Sequence, residues 1–223
     1  MTFWRAVGAI LWKDVRAELR TKDIFSSMFV FALLAVIIFD FAFELRVPSM
    51  KMVAPGIVWV AITFAGTLGL NRSFVIEQDK GSMAGLLLAP VDRSAIYFGK
   101  LLSSLLFMLL VEVILLPLVM ILFNLAILNW QQLVVLLLGT YGFAAVGTVF
   151  SAMAVNTRAR EVLLPLLLFP VVVPVILAGV KMTGALLDGE AFSTLGNWLR
   201  LMLVYDIGFT VVAYLTFGYV VEE

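Results

Sequence analysis

Carboxylic acids lie inside long apolar runs of this 223-residue chain, among them Asp40, Glu112 and Asp206. Glu112 falls about 11 residues into its run, roughly 16 Å along a helix, and hence near the middle of a bilayer. A carboxyl group at that depth has to face protein or water. Two interpretations of Glu112 stay open: a role in transport or subunit packing, and a structural hydrogen bond to neighbouring backbone.

The two other acids lie nearer the opposite side of the predicted membrane. Asp40 shares a helix face with Glu44, and Asp206 lies at a similar depth in the last apolar run. Because Lys181 and Arg200 fall near the same level, ion pairing in the outer leaflet is favoured over substrate binding. An intramembrane enzyme using Glu112 and Asp40 is a distant alternative, since enzymes need a clustered acid–base or metal constellation.

Ligands for cofactors and nucleotides are scarce in this sequence. There is no His and no Cys, the commonest ligands of zinc, copper, haem and iron–sulfur centres, so no tightly bound cofactor is expected. A phosphate-binding loop requires Gly-x-x-x-x-Gly-Lys-Ser/Thr. Around Gly99 and Lys100 the chain has Ser94 in place of the first glycine and Leu101 in place of the hydroxyl. Any ATP that drives this chain must bind elsewhere.

The elements that position these groups are predicted to be membrane-spanning helices. Hydrophobic residues make up 63% of the chain and charged residues only 13%, against about 25% in soluble domains. Six apolar runs reach the roughly 20 residues needed to span a bilayer. They cover residues 24–45, 55–75, 101–124, 130–155, 162–180 and 199–220. The fold class is therefore all-α integral membrane, a single domain over residues 1–223 with six transmembrane helices.

Two features depart from simple spans. The fifth span contains Pro165, Pro170 and Pro174, and because each removes a backbone donor, a kinked or interrupted helix is predicted. Residues 181–198 are polar and too long for a tight turn, which predicts a short element on the outer face.

The distribution of Lys and Arg predicts the orientation. Eleven of the fifteen cations lie before the first span or in the connections after spans two and four, and four lie on the other side. By the positive-inside rule both termini are cytoplasmic.

The first 23 residues predict an amphipathic helix at the cytoplasmic membrane interface. Apolar residues recur every fourth position, and cations occupy other faces. The apolar set is Phe3, Val7, Leu11, Val15 and Leu19. Such a helix lies along the membrane with its cations near anionic head groups. It is either a simple anchor or a lever that feeds motion into span one.

The cytoplasmic connection over residues 76–100 contains a short apolar piece between charged ends. Gly81 follows a charged turn, Pro90 ends the apolar piece, and Asp92 is a candidate cap for the next helix. A short helix with an apolar face can dock in a groove of a cytosolic partner, although the residues alone equally allow a loop without one.

Three blocks resemble the ABC-2-type permeases, and specifically the haem exporter protein B family of bacterial cytochrome c maturation. They are APGIVWVA at residues 54–61 with LNRSF at 70–74, GLLLAPVDRSAIYFGK at 85–100, and LLPLLLFPVVVP at 163–174. The second block is the most specific, because apolar runs match one another by chance.

The resemblance implies a permease subunit that is moved by a separate cytosolic ABC ATPase, itself a dimer. Residues 77–94 would form the coupling element, with Leu86–Leu88 as the contact and Asp79 and Arg93 at its rim. The implied coupling residues are Glu77, Asp79, Gly81, Leu86, Leu87, Leu88, Pro90, Asp92 and Arg93.

The resemblance also implies location and partners. The chain would lie in the bacterial inner membrane, with haem as the transported species or as a species released from a partner. Other haem-handling membrane subunits or a second permease copy would lie beside it. Its zero formal net charge argues against nucleic acid. An exporter of a lipid-linked sugar or a drug, or a membrane scaffold, are the alternative functions.

Overall fold

In a computed structural model, the described residues are 2–43, 47–79, 81–125, 129–155, 157 and 159–222. Within them the chain forms eight α-helices and two 3-10 turns, at Met50–Met52 and Phe192–Leu195. The helices are α1 (Phe3–Thr21), α2 (Asp23–Phe43), α3 (Ala54–Asp79), α4 (Ser82–Leu88), α5 (Arg93–Phe123), α6 (Trp130–Ala154), α7 (Arg160–Leu187) and α8 (Gly196–Glu222). Six of these, all except α1 and α4, are long and apolar enough to span a membrane. The predicted all-helical, six-span fold is confirmed.

Two helices form the centre of the bundle. In α3 and α6 most residues of the apolar span are buried, whereas in α2, α7 and α8 fewer than half are. α2 and α8 expose many large apolar side chains, for example Leu34, Ile38, Ile207 and Leu215. A surface of this kind is stable only against lipid or another apolar partner.

Several helices are longer than the apolar runs predicted. α5 begins at Arg93 rather than at residue 101, because the Asp92 side chain caps it by accepting a hydrogen bond from the Ser94 N–H at 2.8 Å. The predicted Asp92 cap is therefore confirmed. α7 continues to Leu187, so the first part of the predicted 181–198 connection is helical. Thr183 explains this in part, because its hydroxyl faces inward and accepts a hydrogen bond from the Trp59 indole.

The three prolines of the fifth span, Pro165, Pro170 and Pro174, all lie inside α7, which is helical throughout. Of the two predicted alternatives, an interrupted helix is therefore wrong, and a kinked helix stays a prediction. Between Pro170 and Pro174, the Tyr205 hydroxyl of α8 donates to the Val171 carbonyl at 3.1 Å. A neighbouring helix thus donates a hydrogen bond to the backbone of α7 between two of its prolines.

Small residues let the central helices approach closely. The Trp59 ring of α3 is 1% exposed and lies directly against Gly139 of α6 and Gly179 of α7. Gly69 and Gly147 likewise accommodate Met28 and Leu70. Small residues at such contacts are typical of closely packed membrane helices.

Gly179→Ala is expected to lower the free energy of unfolding by about 1–3 kcal/mol, because the new methyl group collides with the Trp59 ring. The matched control is Gly208→Ala in α8, where an added Cβ meets nothing within 4 Å. Equilibrium unfolding in mixed detergent micelles measures both. Equal stability of the two variants would contradict the tight packing of Trp59.

The N-terminal helix packs against protein more than the sequence predicts. Ala6, Val7 and Ile10 of α1 are buried against the first turns of α5. Leu19, which the pattern places on the apolar stripe, is 68% exposed. The buried face of α1 is therefore rotated about the helix axis relative to the predicted apolar stripe. It also carries the two acids of α1, Asp14 and Glu18.

Candidate coupling site

Four charged side chains meet below the predicted cytoplasmic end of the bundle. Lys100 of α5 is 1% exposed, and its Nζ lies 3.1 Å from Asp14 Oδ2 and 2.9 Å from Glu77 Oε1. Lys13 pairs with the same two carboxylates from the edge of the group. We call Lys13, Asp14, Glu77 and Lys100 the buried charge cluster. It joins α1, α3 and α5 by ion pairs.

Hydroxyl groups complete the hydrogen bonding of the buried charge cluster. The Ser103 hydroxyl donates to Asp14 Oδ2 at 2.8 Å, and Lys100 Nζ donates to the Ser73 hydroxyl at 3.3 Å. Glu77 Oε2 is buried without a partner among the described residues. A cleft of about 150 Å³ adjoins the cluster and is lined in part by Glu77, Lys100 and Ser82. Removing one partner of a buried ion pair strongly destabilises the fold, because the other charge stays buried without compensation.

The local sequence explains why these side chains meet. Asp14 follows Val7 and Ile10 on the buried face of α1, which places its carboxylate against α5. Glu77 is in the last turn of α3, and Lys100 is two turns into α5. α4 connects α3 to α5, so two cluster residues bracket it in the chain.

Glu18 fixes the junction between α1 and α2. Its carboxylate oxygens accept hydrogen bonds from the backbone N–H groups of Ile24 at 3.3 Å and Phe25 at 2.8 Å. A carboxylate at a helix N-terminus satisfies free donors and opposes the positive end of the dipole. Two hydrogen bonds therefore link the end of α1 to the first turn of α2, the first span.

The electrostatics of α1 favour the charged forms of its cluster residues. Burial alone would raise the pKa of the Asp14 carboxyl, but Lys100, Lys13 and the Ser103 hydroxyl outweigh it and hold that pKa below its usual value. Burial opposes the charge of Lys13 in the same way, yet Asp14 and Glu77 raise the pKa of Lys13. Both groups therefore stabilise the fold across the neutral range.

The stability that Asp14 contributes is complete above its unfolded-state pKa and is lost as the pH falls through the lower folded-state pKa. We expect the unfolding midpoint of the wild type to fall on acidification below pH about 4. Asp14→Asn should be less stable at neutral pH and should show a smaller fall. Thermal unfolding in detergent across an acid pH series measures the difference, and parallel curves would contradict the ionised Asp14.

The predicted coupling residues divide into buried and exposed groups. Leu88 of α4 is 87% exposed, whereas Leu86 packs partly against the core. Pro90 and Gly81 are exposed, and Gly81 has φ +65°, a left-handed conformation that glycine adopts readily at this helix start. The Leu87 side chain lies outside the described part of the structure. α4 thus presents an apolar residue to the surface at the predicted cytoplasmic end.

Glu77 differs most from its predicted role. The sequence places it with the surface residues of the coupling segment, but it is 6% exposed and belongs to the buried charge cluster. Asp79 remains at the surface and pairs with Arg160 at the start of α7, at 3.5 Å. Arg93 is half-buried in the first turn of α5.

The intramembrane acids are dispersed around α6. Glu112 of α5 is 3% exposed and accepts a hydrogen bond from the Thr140 hydroxyl. Asp206 of α8 lies beside Gly142, with both carboxylate oxygens buried and without a hydrogen-bond partner among the described residues. Thr140 and Gly142 point to opposite sides of α6. Glu112 and Asp206 therefore do not share a site.

The predicted outer-leaflet ion pairing is wrong for these acids. Within the described residues neither Asp206 nor the half-buried Asp40 pairs with Lys181 or Arg200, and Glu44 lies outside them. The ion pair at that end is instead Lys51–Asp188, at 3.2 Å. The expectation failed because Asp206 points into the α6–α7–α8 contact rather than towards the polar ends of the helices.

Sequence reasoning missed Asp14, Lys100, Ser73 and Ser103 as site residues. One signal was available for Asp14, since it falls on the helix face that also carries Val7 and Ile10. The sequence signal for Lys100 is weaker, because a cation near the end of a membrane helix ordinarily indicates only the orientation of that helix. Its burial depends on contacts with α1 and α3 that no local pattern encodes.

The bundle and the site define an all-helical, multi-pass membrane protein with a short helix at one end, outside its spans. A family model described as CcmB protein matches residues 5–222. The chain belongs to the CcmB family.

Curated relatives agree with this assignment. The chain is 30% identical to the heme exporter protein B of Rhodobacter capsulatus, over 82% of this chain and 84% of that protein. It is 29% identical to the heme exporter protein B of Pseudomonas aeruginosa, over 85% and 86% of the two chains. The protein of the same name from Haemophilus influenzae is 28% identical over 75% and 76%.

Proposed function

We propose that this chain is the membrane permease subunit of an ABC-type exporter that handles haem for the maturation of c-type cytochromes. Membership of the CcmB family and the names of the relatives support the substrate class. The observation that carries the transport role is α4, a short helix outside the bundle with Leu88 turned outward. Haem is proposed as the cargo or the handled species and not as a resident cofactor.

A separate cytosolic ATPase subunit, acting as a dimer, drives the cycle in this proposal. The sequence has no phosphate-binding loop of its own, as the residues around Lys100 indicate. The ATPase would contact α4 through Leu88, with Leu86 and Leu87 beside it and Asp79, Pro90, Asp92 and Arg93 around it. Other haem-handling membrane subunits, or a second permease copy, would complete the assembly.

The buried charge cluster would carry movement of α4 into the bundle. Glu77 lies one turn before α4, and Lys100 lies two turns into the helix after it. A displacement of α4 would therefore move both partners of the Glu77–Lys100 ion pair. Asp14 passes the displacement to α1, and Glu18 passes it to α2. Rigid elements joined by ion pairs are suited to this transfer.

The proposed location is the bacterial inner membrane, with both termini in the cytoplasm. The excess of cations at the α1 and α4 end supports this orientation. It places α4 on the side where ATP is available.

Deletion of the gene followed by haem staining of c-type cytochromes tests the function. The proposal predicts loss of mature c-type cytochromes with other membrane proteins intact, and recovery when the wild-type chain is supplied. Unchanged c-type cytochromes in the deletion strain would refute the haem role. Loss of a surface polysaccharide or of drug resistance instead would point to a different cargo.

A further inference from the structure

The outward face of α1 carries cations and tryptophans but no exposed acid. Its two acids, Asp14 and Glu18, are turned inward and are 9% and 8% exposed. Arg5, Arg16, Arg20 and Lys22 are exposed, and no carboxylate among the described residues lies within ion-pair distance of any of them. Burial of the acids thus leaves α1 with a purely cationic exposed charge.

The cations lie beside an apolar strip on the same helix. Trp4, Trp12 and Leu19 are 72%, 62% and 68% exposed. At 100° per residue, Arg5, Trp12 and Arg16 fall within about 40° of one another. A helix whose exposed surface combines tryptophans with adjacent cations matches the membrane interface, where indole rings lie at head-group depth.

A groove of about 390 Å³ runs along this face. It is lined by Ala9, Trp12, Lys13, Arg16, Ala17 and Arg20. The small side chains of Ala9 and Ala17 leave room for the groove, and the long side chains of the cations form its border. Lys13 is already engaged with Asp14 and Glu77, so Arg16 and Arg20 supply the unneutralised charge.

The position of α1 in the bundle places the groove at head-group level. α5 has 31 residues, about 46 Å at 1.5 Å per residue, which exceeds the roughly 30 Å hydrocarbon thickness. The contacts of α1 with α5 include Ala95, Gly99 and Ser103, which lie in the first three turns of α5. The same turns carry Arg93 and Lys100, whereas residues 101–111 contain no charge.

We propose that this groove on α1 is a binding site for the head group of an anionic phospholipid in the leaflet that surrounds α1. Arg16 and Arg20 bind the phosphate and Trp12 packs against the glycerol and upper acyl region. An acidic protein surface is the other occupant that this charge would fit. The lipid is favoured because exposed apolar side chains border the cations and because α1 lies at the depth of the head groups.

The test compares lipid retention by the full chain in nanodiscs of phosphatidylcholine with and without phosphatidylglycerol. Native mass spectrometry after release counts the phosphatidylglycerol that stays bound. The wild type should retain phosphatidylglycerol in preference to phosphatidylcholine, and Arg16→Gln/Arg20→Gln should lower that preference by about tenfold, because each cation near an anionic surface adds to binding.

The control variant is Lys181→Gln/Arg200→Gln, which removes two exposed cations from the opposite end of the bundle. It should keep the wild-type preference. Trp12→Phe should reduce quenching of the intrinsic fluorescence by brominated phosphatidylglycerol, a readout independent of charge. Thermal unfolding of each variant verifies that the fold is intact.

Three results would overturn the proposal. The first is equal retention of the two lipids by the wild type. The second is an equal loss of the preference for phosphatidylglycerol in both double variants. The third is unchanged lipid retention by Arg16→Gln/Arg20→Gln together with loss of a co-purifying cytosolic subunit. The last result would assign the groove to a protein partner.

Discussion

Lys100→Met is expected to lower the free energy of unfolding by about 3–5 kcal/mol. The substitution keeps the length of the side chain but leaves the Asp14 and Glu77 carboxylates, 9% and 6% exposed, without the ammonium group between them. Lys13 stays near both acids but is 40% exposed and lies at the edge. Equilibrium unfolding in mixed detergent micelles measures the loss.

Two comparisons separate this effect from a general loss of charge. Lys51→Met breaks an exposed pair with Asp188 and should cost only about 0–1 kcal/mol. The triple variant Lys100→Met/Asp14→Asn/Glu77→Gln removes the unpaired charge and should recover part of the stability. Similar effects of Lys100→Met and Lys51→Met would show that the cluster is not buried as described.

Leu88→Asp is expected to reduce mature c-type cytochromes at least tenfold while leaving the fold unchanged. Leu88 is 87% exposed, so a carboxylate there disturbs no internal packing. A charge in the centre of an apolar contact would weaken docking of the ATPase by roughly 2 kcal/mol or more, as for the central residues of other interfaces. Haem staining of a complemented deletion strain, normalised to the amount of chain in the membrane, measures the effect.

Met52→Asp is the matched control for Leu88→Asp. Met52 is 74% exposed in the 3-10 turn at the opposite end of the bundle. It should support wild-type levels of c-type cytochromes, because the proposed ATPase contacts only the α4 end. Equal loss in the two variants, or normal maturation with Leu88→Asp, would remove α4 from the coupling path.

The spans could be predicted because lipid imposes a simple rule on the sequence. A run of about 20 apolar residues has to form a helix, since hydrocarbon offers its backbone no hydrogen bonds. The N-cap of α5 at Asp92 could also be predicted, because capping depends on residues that are close together in the sequence. The end of α7 was misjudged for the opposite reason. Thr183 is polar in sequence but finds its partner in Trp59, 124 residues away.

Only the exposed part of the candidate site has a signal in the sequence. The apolar residues of α4 between charged ends predict a docking surface; Leu88 is exposed there, and its contact with a partner stays a prediction. The buried charge cluster could not be predicted, because its members meet partners far away in the chain. Lys13 and Glu77 are 64 positions apart, and Asp14 is 89 positions from Ser103, which donates a hydrogen bond to it. A cation in a connection looks the same in sequence whether it faces water or two carboxylates.

We propose that energy reaches this bundle from a separate ATPase docked on α4. Affinity purification of the tagged chain from native membranes, with mass spectrometric identification of the co-purifying proteins, tests it most directly. We predict a nucleotide-binding subunit with a phosphate-binding loop in the wild-type sample, strongly depleted with Leu88→Asp and retained with Met52→Asp. Absence of any such subunit, together with haem transfer by the purified chain alone in liposomes, would contradict the account.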